Sequence, residues 1–408
     1  MRRELLSPYH FALSLLGAIL YRHPSRKIAV IGVTGTKGKT TVVELINAGL
    51  EEAGKRTAML SSIRRKVGDE SGPNSGNSMP GRFAIQKFLS DAVKAKCNYA
   101  LIEVTSEGVV QHRHRNIEYD AGVFINLHPE HIESHGSFEK YRKAKMDFFG
   151  YIGKHSRKSQ RYFFINQDDE HARFFAEAAK NGRKIMFGKS ALKSNMAGEF
   201  NKWNLGAAEA VLKTLGVSVP VIENAFTKFA GVPGRMEYVL RKPFEVVVDY
   251  AHTPESLEQV YQSLKSQIPN PKPQTNQKSE IENSNLICVL GSASGGRDKW
   301  KRPKLGEIAS RYCREIILTD EDPYDENPSQ ILADIEFGIP NVKIPITNVH
   351  KILNRKEAIK KAISLAKSGD TVIITGKGSE KSIHVARGKK IPWSDKATVM
   401  EILAGKDL

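Results

Sequence analysis

The sequence predicts an α/β fold with two parallel-sheet domains, and three observations support this prediction. Short apolar runs alternate with stretches of helical length within residues 27–127. The same alternation starts again within residues 244–375, and a glycine-rich turn follows the first apolar run. Strands that alternate with helices form mostly parallel, doubly wound sheets. We therefore expect a central domain over residues 28–235 and a Rossmann-like C-terminal domain over residues 236–408.

The first 27 residues are predicted to form an apolar helix and a linker. The apolar run covers residues 9–21, whereas a transmembrane helix needs about 20 residues. A small-residue cleavage site, which a secretory signal peptide requires, does not follow the run. We interpret it as a helix packed on the central domain. A helix that contacts a membrane surface or a partner protein is the alternative.

The remaining elements follow from the positions of the apolar runs. In the first half we predict strands at residues 27–33, 99–104 and 121–127 and a helix at residues 41–53. In the second half we predict strands at residues 244–249, 286–291, 315–319 and 371–375, and helices at residues 253–264, 303–312 and 356–367. Residues 266–285 are rich in Pro, Gln, Asn, Ser and Lys, which predicts an exposed loop inside the second domain.

Composition narrows the classes of function. The 408 residues are 40% hydrophobic and 26% charged, which is typical of a globular protein. The net charge of +17 favours anionic partners. The basic residues are spread along the chain without a nucleic-acid-binding signature, so we expect no nucleic-acid partner. Cys97, Cys288 and Cys313 lie far apart, which disfavours a zinc site of the usual spacing and favours a cytoplasmic location.

The glycine-rich turn has the pattern of a phosphate-binding loop. Residues 32–41 read G-V-T-G-T-K-G-K-T-T between a strand and a helix. Small residues allow backbone N–H groups to surround phosphate oxygens, and the helix N-terminus adds positive potential. Lys39 can reach the β- and γ-phosphates, and the Thr40 hydroxyl can bind Mg²⁺. We predict a P-loop-type ATPase domain whose nucleotide site includes Thr34, Gly35, Thr36, Lys37, Gly38, Lys39, Thr40 and Thr41.

With this loop, the chain resembles the Mur ligase superfamily, most closely its UDP-N-acetylmuramoyl-tripeptide synthetase (MurE-type) branch. The resemblance continues in family order through E-V-T-S-E-G at residues 103–108, F-I-N-L-H-P-E-H-I-E-S-H-G at residues 124–136 and Y-R-K-A-K at residues 141–145. It then includes residues 198–208, P-G-R-M-E at residues 233–237 and D-Y-A-H-T-P at residues 249–254. The last two matching segments are residues 296–303 and G-K-G-S-E at residues 376–380. The resemblance implies an ATP-dependent amide ligase of peptidoglycan precursor synthesis, of type EC 6.3.2. In this family, a carboxylate takes the γ-phosphoryl group and an amine then displaces phosphate.

The resemblance also implies a metal site that holds two Mg²⁺ ions. Thr40 and Glu103 are the expected ligands of the first ion, and His131 is the expected ligand of the second. In the family, the lysine at the position of Lys145 is carbamylated, and its carbamate holds the second ion. Without the resemblance, Glu103 is interpreted as a strand-end carboxylate in a salt bridge and Lys145 as a solvated helix residue.

The same resemblance assigns the nucleotide contacts outside the loop. Asn201 and Asn204 match the residues near adenine, although on their own they are interpreted as helix N-caps. Arg235 matches a hinge residue that contacts the nucleotide, and Asp249 matches a ribose contact. His252 follows the same strand, and we expect it to approach the phosphates when the domains close.

The remaining assignments concern the acceptor and the amino acid. Ser78, Thr105 and Ser106 match positions near the muramoyl-peptide acceptor. Arg297 matches the residue that holds the backbone carboxylate or the side chain of the incoming amino acid, and a guanidinium suits bidentate carboxylate binding. Asp322, Tyr324, Gly376 and Glu380 match other contacts of this amino acid.

Two departures from the family pattern concern these substrates. Ligases that add meso-diaminopimelate have D-N-P-R where this chain has Glu321-Asp322-Pro323-Tyr324. Asp322 with Glu380 favours a cationic end, so we expect L-lysine or another diamino acid; Asp322 as a turn cap is the alternative. Family members also carry a UDP-binding domain before the loop, whereas 31 residues precede it here.

The short N-terminal segment leaves the acceptor open. The leading prediction is a UDP-muramoyl-dipeptide-like acceptor. The alternative within the superfamily is a lipid-linked precursor, a polyglutamate or another poly-amino acid. From other classes, we also consider a non-catalytic ATP-binding protein, which the intact Lys39, Thr40, Glu103, His131 and Lys145 disfavour, and a nucleic-acid-binding protein, which only the net charge supports.

Overall fold

The computed structural model of the chain describes residues 7–74, 78–130, 132–267, 285–295, 298–340 and 348–405. The chain divides into two compact units. The first unit comprises Met1–Met196 and Phe200–Ala230, and the second comprises Ala197–Glu199 and Gly231–Leu408. The predicted α/β fold class is confirmed.

The first unit contains a sheet of eight strands. Its strands are β1 (Ala29–Thr34), β2 (Thr57–Leu60), β3 (Arg64–Val67), β4 (Glu70–Pro73), β5 (Tyr99–Glu103), β6 (Ala121–Phe124), β7 (Tyr162–Asn166) and β8 (Arg183–Phe187). They lie in the order β4-β3-β2-β5-β1-β6-β7-β8. Only β3 runs antiparallel to its neighbours β2 and β4, and the other pairs are parallel.

Helices cover both faces of this sheet. They are α1 (Ser7–Leu20), α2 (Lys39–Glu52), α3 (Arg82–Lys94), α4 (Ser106–Val110), α5 (Ile132–His135), α6 (Phe138–His155), α7 (Ala172–Ala178), α8 (Asn201–Thr214) and α9 (Val219–Lys228). Successive residues of β1 point to opposite faces, so Val30 joins the core with Phe88 and Phe148 and Ile31 joins the core with Leu45 and Leu212. Because both faces are covered, β1 is buried along nearly its whole length.

The second unit contains a six-stranded sheet. Its strands are β9 (Glu237–Leu240), β10 (Glu245–Val248), β11 (Leu286–Leu290), β12 (Glu315–Leu318), β13 (Asn348–Lys351) and β14 (Thr371–Ile374), in the order β13-β12-β11-β14-β10-β9. All pairs are parallel except β9 with β10. The helices are α10 (Pro254–Gln267), α11 (Lys301–Tyr312), α12 (Pro328–Glu336), α13 (Arg355–Leu365) and α14 (Asp395–Ala404), and β15 (Ser382–His384) pairs with β16 (Lys390–Pro392).

Several predicted boundaries differ from the observed ones. The N-terminal helix covers Ser7–Leu20, and α2 begins at Lys39, two residues before the predicted start, because the loop residue Gly38 already caps the helix. Helix α10 extends to Gln267, so the predicted loop at residues 266–285 begins later than expected. Residues 268–284 of that loop lie outside the described residues.

Two cysteines form a pair that their spacing did not predict. Cys288 and Cys313 form a disulfide with a Cα–Cα distance of 6.0 Å. Cys288 is in β11, and Cys313 comes two residues before β12, the parallel neighbour of β11. The crossover through α11 therefore brings together residues that are separated by 25 positions. Cys97 is free and buried.

None of the helices within the described residues is both long enough and apolar enough to cross a membrane.

Candidate active site

The phosphate-binding loop begins at the end of β1, and close packing explains the glycines at two of its positions. Gly38 has a φ of +82°, and a Cβ there would lie 2.2 Å from Asn204 Oδ1. A Cβ on Gly32 would lie 2.4 Å from Phe148 Cζ. Real Cβ atoms do not make such contacts, so both positions require glycine for this conformation. The loop therefore brings its backbone close to the first turn of α8.

The Asn126 side chain holds the loop in shape. Its Oδ1 accepts hydrogen bonds from the backbone N–H groups of Thr36 (3.1 Å) and Lys37 (2.9 Å), and its Nδ2 donates to Lys37 O (3.2 Å). The Thr36 hydroxyl lies 3.0 Å from Tyr141 OH and accepts a bond from the backbone N–H of His128. The carboxyl end of β6 and helix α6 thus fix the conformation of a loop that is about 90 residues away in sequence.

Two lysine amines meet inside this loop. Lys39 Nζ donates to Gly35 O (3.0 Å) and Thr36 O (2.8 Å). Lys145 Nζ donates to the same Gly35 O at 2.7 Å, and only 2% of the Lys145 residue is exposed. Burial and the nearby charges of Lys39 and Lys37 hold the pKa of Lys145 well below its usual value. The Lys145 amine is therefore predominantly neutral when the pH exceeds this lowered pKa.

Two further residues predicted at the metal site lie in the first turn of α2 and at the end of β5. The Thr40 hydroxyl is 2.9 Å from Ser62 Oγ. Glu103 ends β5, which pairs directly with β1, and it is buried. Its Oε1 atom has no hydrogen-bond partner within the described part of the chain. A buried carboxylate oxygen without a partner is costly unless a proton or a cation satisfies it.

The two asparagines of α8 lie at the same loop. Asn204 Nδ2 donates to Asn201 Oδ1 at 2.8 Å, and both residues are buried. The close approach of Gly38 to Asn204 places this pair beside the start of α2. The sequence interpretation of both asparagines as simple N-caps was wrong, because Phe200 is the N-cap of α8, Asn201 is its first residue and Asn204 is its fourth.

Three polar residues predicted near the acceptor lie around the start of α4. Thr105 caps α4 by accepting a hydrogen bond from Gly108 N (3.1 Å). The Ser106 hydroxyl is 3.1 Å from His135 Nε2. Ser78 is buried and precedes Met79, whose sulfur accepts a hydrogen bond from Thr105 N at 3.4 Å.

In the second unit, Asp249 is tied to the backbone at the end of β10. Its carboxylate accepts hydrogen bonds from Met236 N (2.7 Å) and Ala251 N (2.6 Å). The Arg235 guanidinium stacks on the Tyr250 ring at 4.0 Å from the ring centroid. His252 Nδ1 lies 2.7 Å from Tyr250 O. The structure therefore brings Arg235, Asp249 and His252 together around Tyr250.

The expected acidic pair for a cationic substrate, Asp322 and Glu380, already shares one lysine partner within the chain. Lys377 Nζ donates to Asp322 Oδ1 at 2.8 Å and also pairs with Glu380. Asp322 Oδ1 accepts a further bond from His384 N. Burial lowers the pKa of Lys377, but Glu380 and Asp322 outweigh it and raise that pKa, so the ammonium stays charged. The charge argument made for Asp322 from the sequence therefore needs correction, because Lys377 already supplies the cation.

A third carboxylate in this place has no such partner. Glu321 is 5% exposed, and its Oε2 atom has no hydrogen-bond partner within the described residues. Burial raises its pKa although Lys301, Lys377 and Arg355 oppose this effect. Gly376 has a φ of +104°, and a Cβ there would lie 2.4 Å from Glu321 Oε2. The absence of a side chain at Gly376 thus allows the unsatisfied Glu321 carboxylate oxygen to approach its backbone closely.

Tyr324 replaces the arginine expected in diaminopimelate-adding relatives. Its ring packs on His384, with the ring centroids 5.1 Å apart. Its backbone N–H donates to His384 O at 3.0 Å. A phenol in this position offers one neutral hydroxyl where a guanidinium offers charge and a planar set of donors.

Two predicted residues, His131 and Arg297, lie outside the described residues. Within the described residues, no three His, Cys, Asp or Glu side chains form a cluster suited to a metal ion. Sequence reasoning did not single out Asn126, Glu321 or Lys377. These residues lie in or beside segments that match the family pattern. Their roles were not predicted, because their contacts join segments that are far apart in the chain.

Comparisons with known proteins identify the family that the chain resembles. The Mur ligase middle domain matches residues 33–221, and the Mur ligase, glutamate ligase domain matches residues 234–378. A UDP-N-acetylmuramoyl-L-alanyl-D-glutamate--2,6-diaminopimelate ligase of Syntrophomonas wolfei is 34% identical over 97% of this chain and 82% of its own length. A UDP-N-acetylmuramyl-tripeptide synthetase of Roseiflexus sp. is 33% identical over 96% of this chain and 82% of its own length.

Solved structures show the same fold. A UDP-N-acetylmuramoyl-L-alanyl-D-glutamate--2,6-diaminopimelate ligase aligns over 92% of this chain and 78% of its own chain, with a TM-score of 0.60 and 28% identity. Folylpolyglutamate synthase of Mycobacterium tuberculosis aligns over 97% of this chain and 96% of its own, with a TM-score of 0.70 and 15% identity.

Proposed function

The chain belongs to the Mur ligase family, whose members are ATP-dependent acid–amino-acid ligases, and we propose that it adds one diamino acid with a cationic end to a muramoyl-dipeptide-like acceptor. The acceptor carboxylate attacks the γ-phosphate of ATP, which gives an acyl phosphate and ADP. The amine of the amino acid then displaces phosphate and forms the amide. The proposed location is the cytoplasm, where ATP is available.

The phosphate-binding loop carries the first step. Lys39 Nζ now bonds to two loop carbonyls, so it is held at the loop and can exchange these bonds for phosphate oxygens. The N–H groups at the start of α2 add positive potential. Asn126 holds the loop in this shape through its hydrogen bonds to Thr36 and Lys37. Asn201 and Asn204 are the proposed adenine contacts, and Arg235 and Asp249 are the proposed contacts of the second unit with the nucleotide.

The residues present fit a magnesium ion. Glu103 has a buried oxygen without a hydrogen-bond partner in the described part of the chain, and the Thr40 hydroxyl follows the loop lysine. Hydroxyl and carboxylate oxygens are the ligands that Mg²⁺ prefers. Thr40 and Glu103 would hold a first ion, and Lys145 with His131 would hold a second. Bound Mg²⁺ neutralises charge on the transferring phosphoryl group.

Lys145 is the observation that carries the ligase proposal. A neutral amine can attack CO₂, lose a proton and become a carbamate, whereas an ammonium cannot. The burial of Lys145 and its position beside Gly35 favour the neutral form. Carbamylation would convert a poor metal ligand into a carboxylate-like ligand at the phosphate-binding loop.

Glu321 supports the proposal for the amino acid. A substrate ammonium beside Gly376 would satisfy the unpaired Oε2 atom, while a distal carboxylate there would meet Glu321, Asp322 and Glu380. Lys377 balances only part of this negative charge. L-Lysine is therefore the proposed substrate, although the relatives that carry a specific amino acid in their names are diaminopimelate ligases.

The test is ADP release by the purified chain with Mg²⁺, ATP, bicarbonate and UDP-muramoyl-L-Ala-D-Glu, with a panel of amino acids. We expect turnover with L-lysine above that with meso-diaminopimelate. Lys145→Met should abolish turnover, whereas Lys143→Met, an exposed position on the same helix, should retain it. Turnover only with meso-diaminopimelate would overturn the amino-acid proposal. Turnover only with a polyglutamate, poly-amino-acid or lipid-linked acceptor would overturn the proposal of a muramoyl-dipeptide-like acceptor.

A further inference from the structure

Helix α1 has an unusual distribution of side chains, with its small residues turned inward. Ser14, Gly17 and Ala18 are buried. The Ser14 hydroxyl accepts a hydrogen bond from Asn116 Nδ2 at 2.7 Å. A Cβ on Gly17 would lie 3.4 Å from Gln86 Cγ and 3.6 Å from the backbone of Phe83, so the helix packs closely on α3. This inward face anchors α1 firmly to the first unit.

The outward face of α1 contains the large apolar residues. Tyr9, Phe11, Leu15, Leu16, Ile19 and Leu20 are each between 38% and 62% exposed. A soluble helix normally buries such residues and exposes its polar ones. A contiguous apolar face of this kind marks an interaction site. We refer to these six residues as the apolar face of α1.

Basic residues flank this apolar face in the chain and near its first turn. Arg22 and Lys27 follow the helix, and both are exposed without an ion pair among the described residues. At the other end, His10 has a lowered pKa because of burial and because the positive charges of Arg82 and Arg113 lie nearby. Residues 1–27 contain five Arg or Lys residues and one acidic residue. The helix itself carries no Asp, Glu, Lys or Arg.

We propose that the apolar face of α1 inserts into the interfacial region of an anionic membrane, with the flanking basic residues on lipid phosphates. Apolar side chains with flanking positive charge suit an anionic lipid surface, where hydrophobic burial and electrostatic attraction add together. A second copy of the chain is the weaker candidate because the basic residues that follow α1 in the two copies would repel one another. The inward face stays on α3, so this contact requires no unfolding of the first unit.

The test is cosedimentation of the full chain with phosphatidylcholine vesicles, prepared with and without phosphatidylglycerol. We expect binding that requires phosphatidylglycerol and weakens as ionic strength rises. Leu16→Ser/Leu20→Ser should lower the vesicle partition coefficient at least about tenfold, because each exposed leucine would bury apolar area in the lipid. The matched control is Phe337→Ser, which removes an 86% exposed apolar side chain from the second unit and should leave binding unchanged.

A charge variant tests the second half of the proposal. Arg22→Gln/Lys27→Gln keeps the apolar face and should lower binding to anionic vesicles only. ADP release in solution separates this proposal from the ligase proposal, because neither pair of substitutions touches the phosphate-binding loop and turnover should persist. No binding to either vesicle, equal binding to both, or binding unaffected by Leu16→Ser/Leu20→Ser would overturn it. A dimer in sedimentation that the same leucine substitutions dissociate would show that a second copy covers the face instead.

Discussion

Substitution of Gly38 by alanine tests whether close packing shapes the phosphate-binding loop. Gly38 has a φ of +82°, and a Cβ would lie 2.2 Å from Asn204 Oδ1. An alanine must therefore either move the loop or turn the Asn204 side chain. Turning Asn204 would break its 2.8 Å hydrogen bond to Asn201. Both responses change groups that we place at the nucleotide.

The expected cost follows from these two contacts. A left-handed backbone conformation costs an L-residue roughly 1–2 kcal/mol. Loss of a neutral hydrogen bond adds about 1 kcal/mol. The sum of about 2–3 kcal/mol corresponds to a loss of ATP affinity of roughly 30- to 150-fold if the loop relaxes in the free enzyme and must be restored on binding.

Calorimetric titration with ATP and Mg²⁺ measures this loss, with Gly54→Ala as the matched control. Gly54 has a φ of +72°, and a Cβ there meets nothing within 4 Å. This control therefore carries the same backbone penalty without a clash, and it should lower stability but leave ATP affinity unchanged. Wild-type affinity in Gly38→Ala would refute the reasoning.

A second variant separates the clash from the backbone penalty. Asn204→Ala removes the atom that the new Cβ would meet. We expect the double variant Gly38→Ala/Asn204→Ala to lose less affinity than the two single losses combined. Strictly additive losses would show that Asn204 does not constrain Gly38.

Three further predictions concern the second unit. Glu321→Gln should lower kcat/KM for L-lysine, measured by ADP release, at least tenfold. The control Asp325→Asn changes an exposed carboxylate in the same loop and should leave kcat/KM unchanged. Equal effects of the two substitutions would argue against Glu321 as the ammonium contact. Burial raises the pKa of Asp320 to about 6, so its contribution to stability is present below about pH 4 and is lost as the pH rises through 6. Urea unfolding should show wild type losing stability relative to Asp320→Asn over this window, and a constant difference would contradict it. Asp395→Asn leaves the buried Arg355 guanidinium without its 2.8 Å carboxylate partner and should cost about 3–5 kcal/mol of unfolding free energy; a cost below 1 kcal/mol would contradict this.

Structural elements that depend on residues close together in the chain were predictable from the sequence. Strand β1, the loop at Gly38 and helix α2 follow each other directly, so apolar runs and glycine spacing were sufficient to place them. Four of the six strands of the second sheet were predicted from the same alternation, whereas β9 and β13 were not. The disulfide between Cys288 and Cys313 was missed because its two residues meet only through a crossover connection.

The site was less predictable because its contacts are long-range. Lys145 donates a hydrogen bond to Gly35, which lies 110 residues away in the sequence. The pattern of residues in α6 alone predicts only a solvated lysine on a charged helix. Only the family resemblance indicated a role for it. Asp322 was misjudged because the sequence shows its charge but not the Lys377 ammonium that a neighbouring loop brings to it. The apolar run at the N-terminus predicted a packed helix, with a membrane or partner contact as the alternative, but it did not show which residues of α1 face outward.

The most direct test of the central claim follows one oxygen atom through the reaction. The acceptor carboxylate is labelled with ¹⁸O, and the phosphate released by the chain with ATP, Mg²⁺, bicarbonate and L-lysine is analysed by mass spectrometry. An acyl phosphate transfers one carboxylate oxygen to phosphate, so we predict one ¹⁸O in each phosphate released by ligation. Amide product accompanied by unlabelled phosphate would contradict the account.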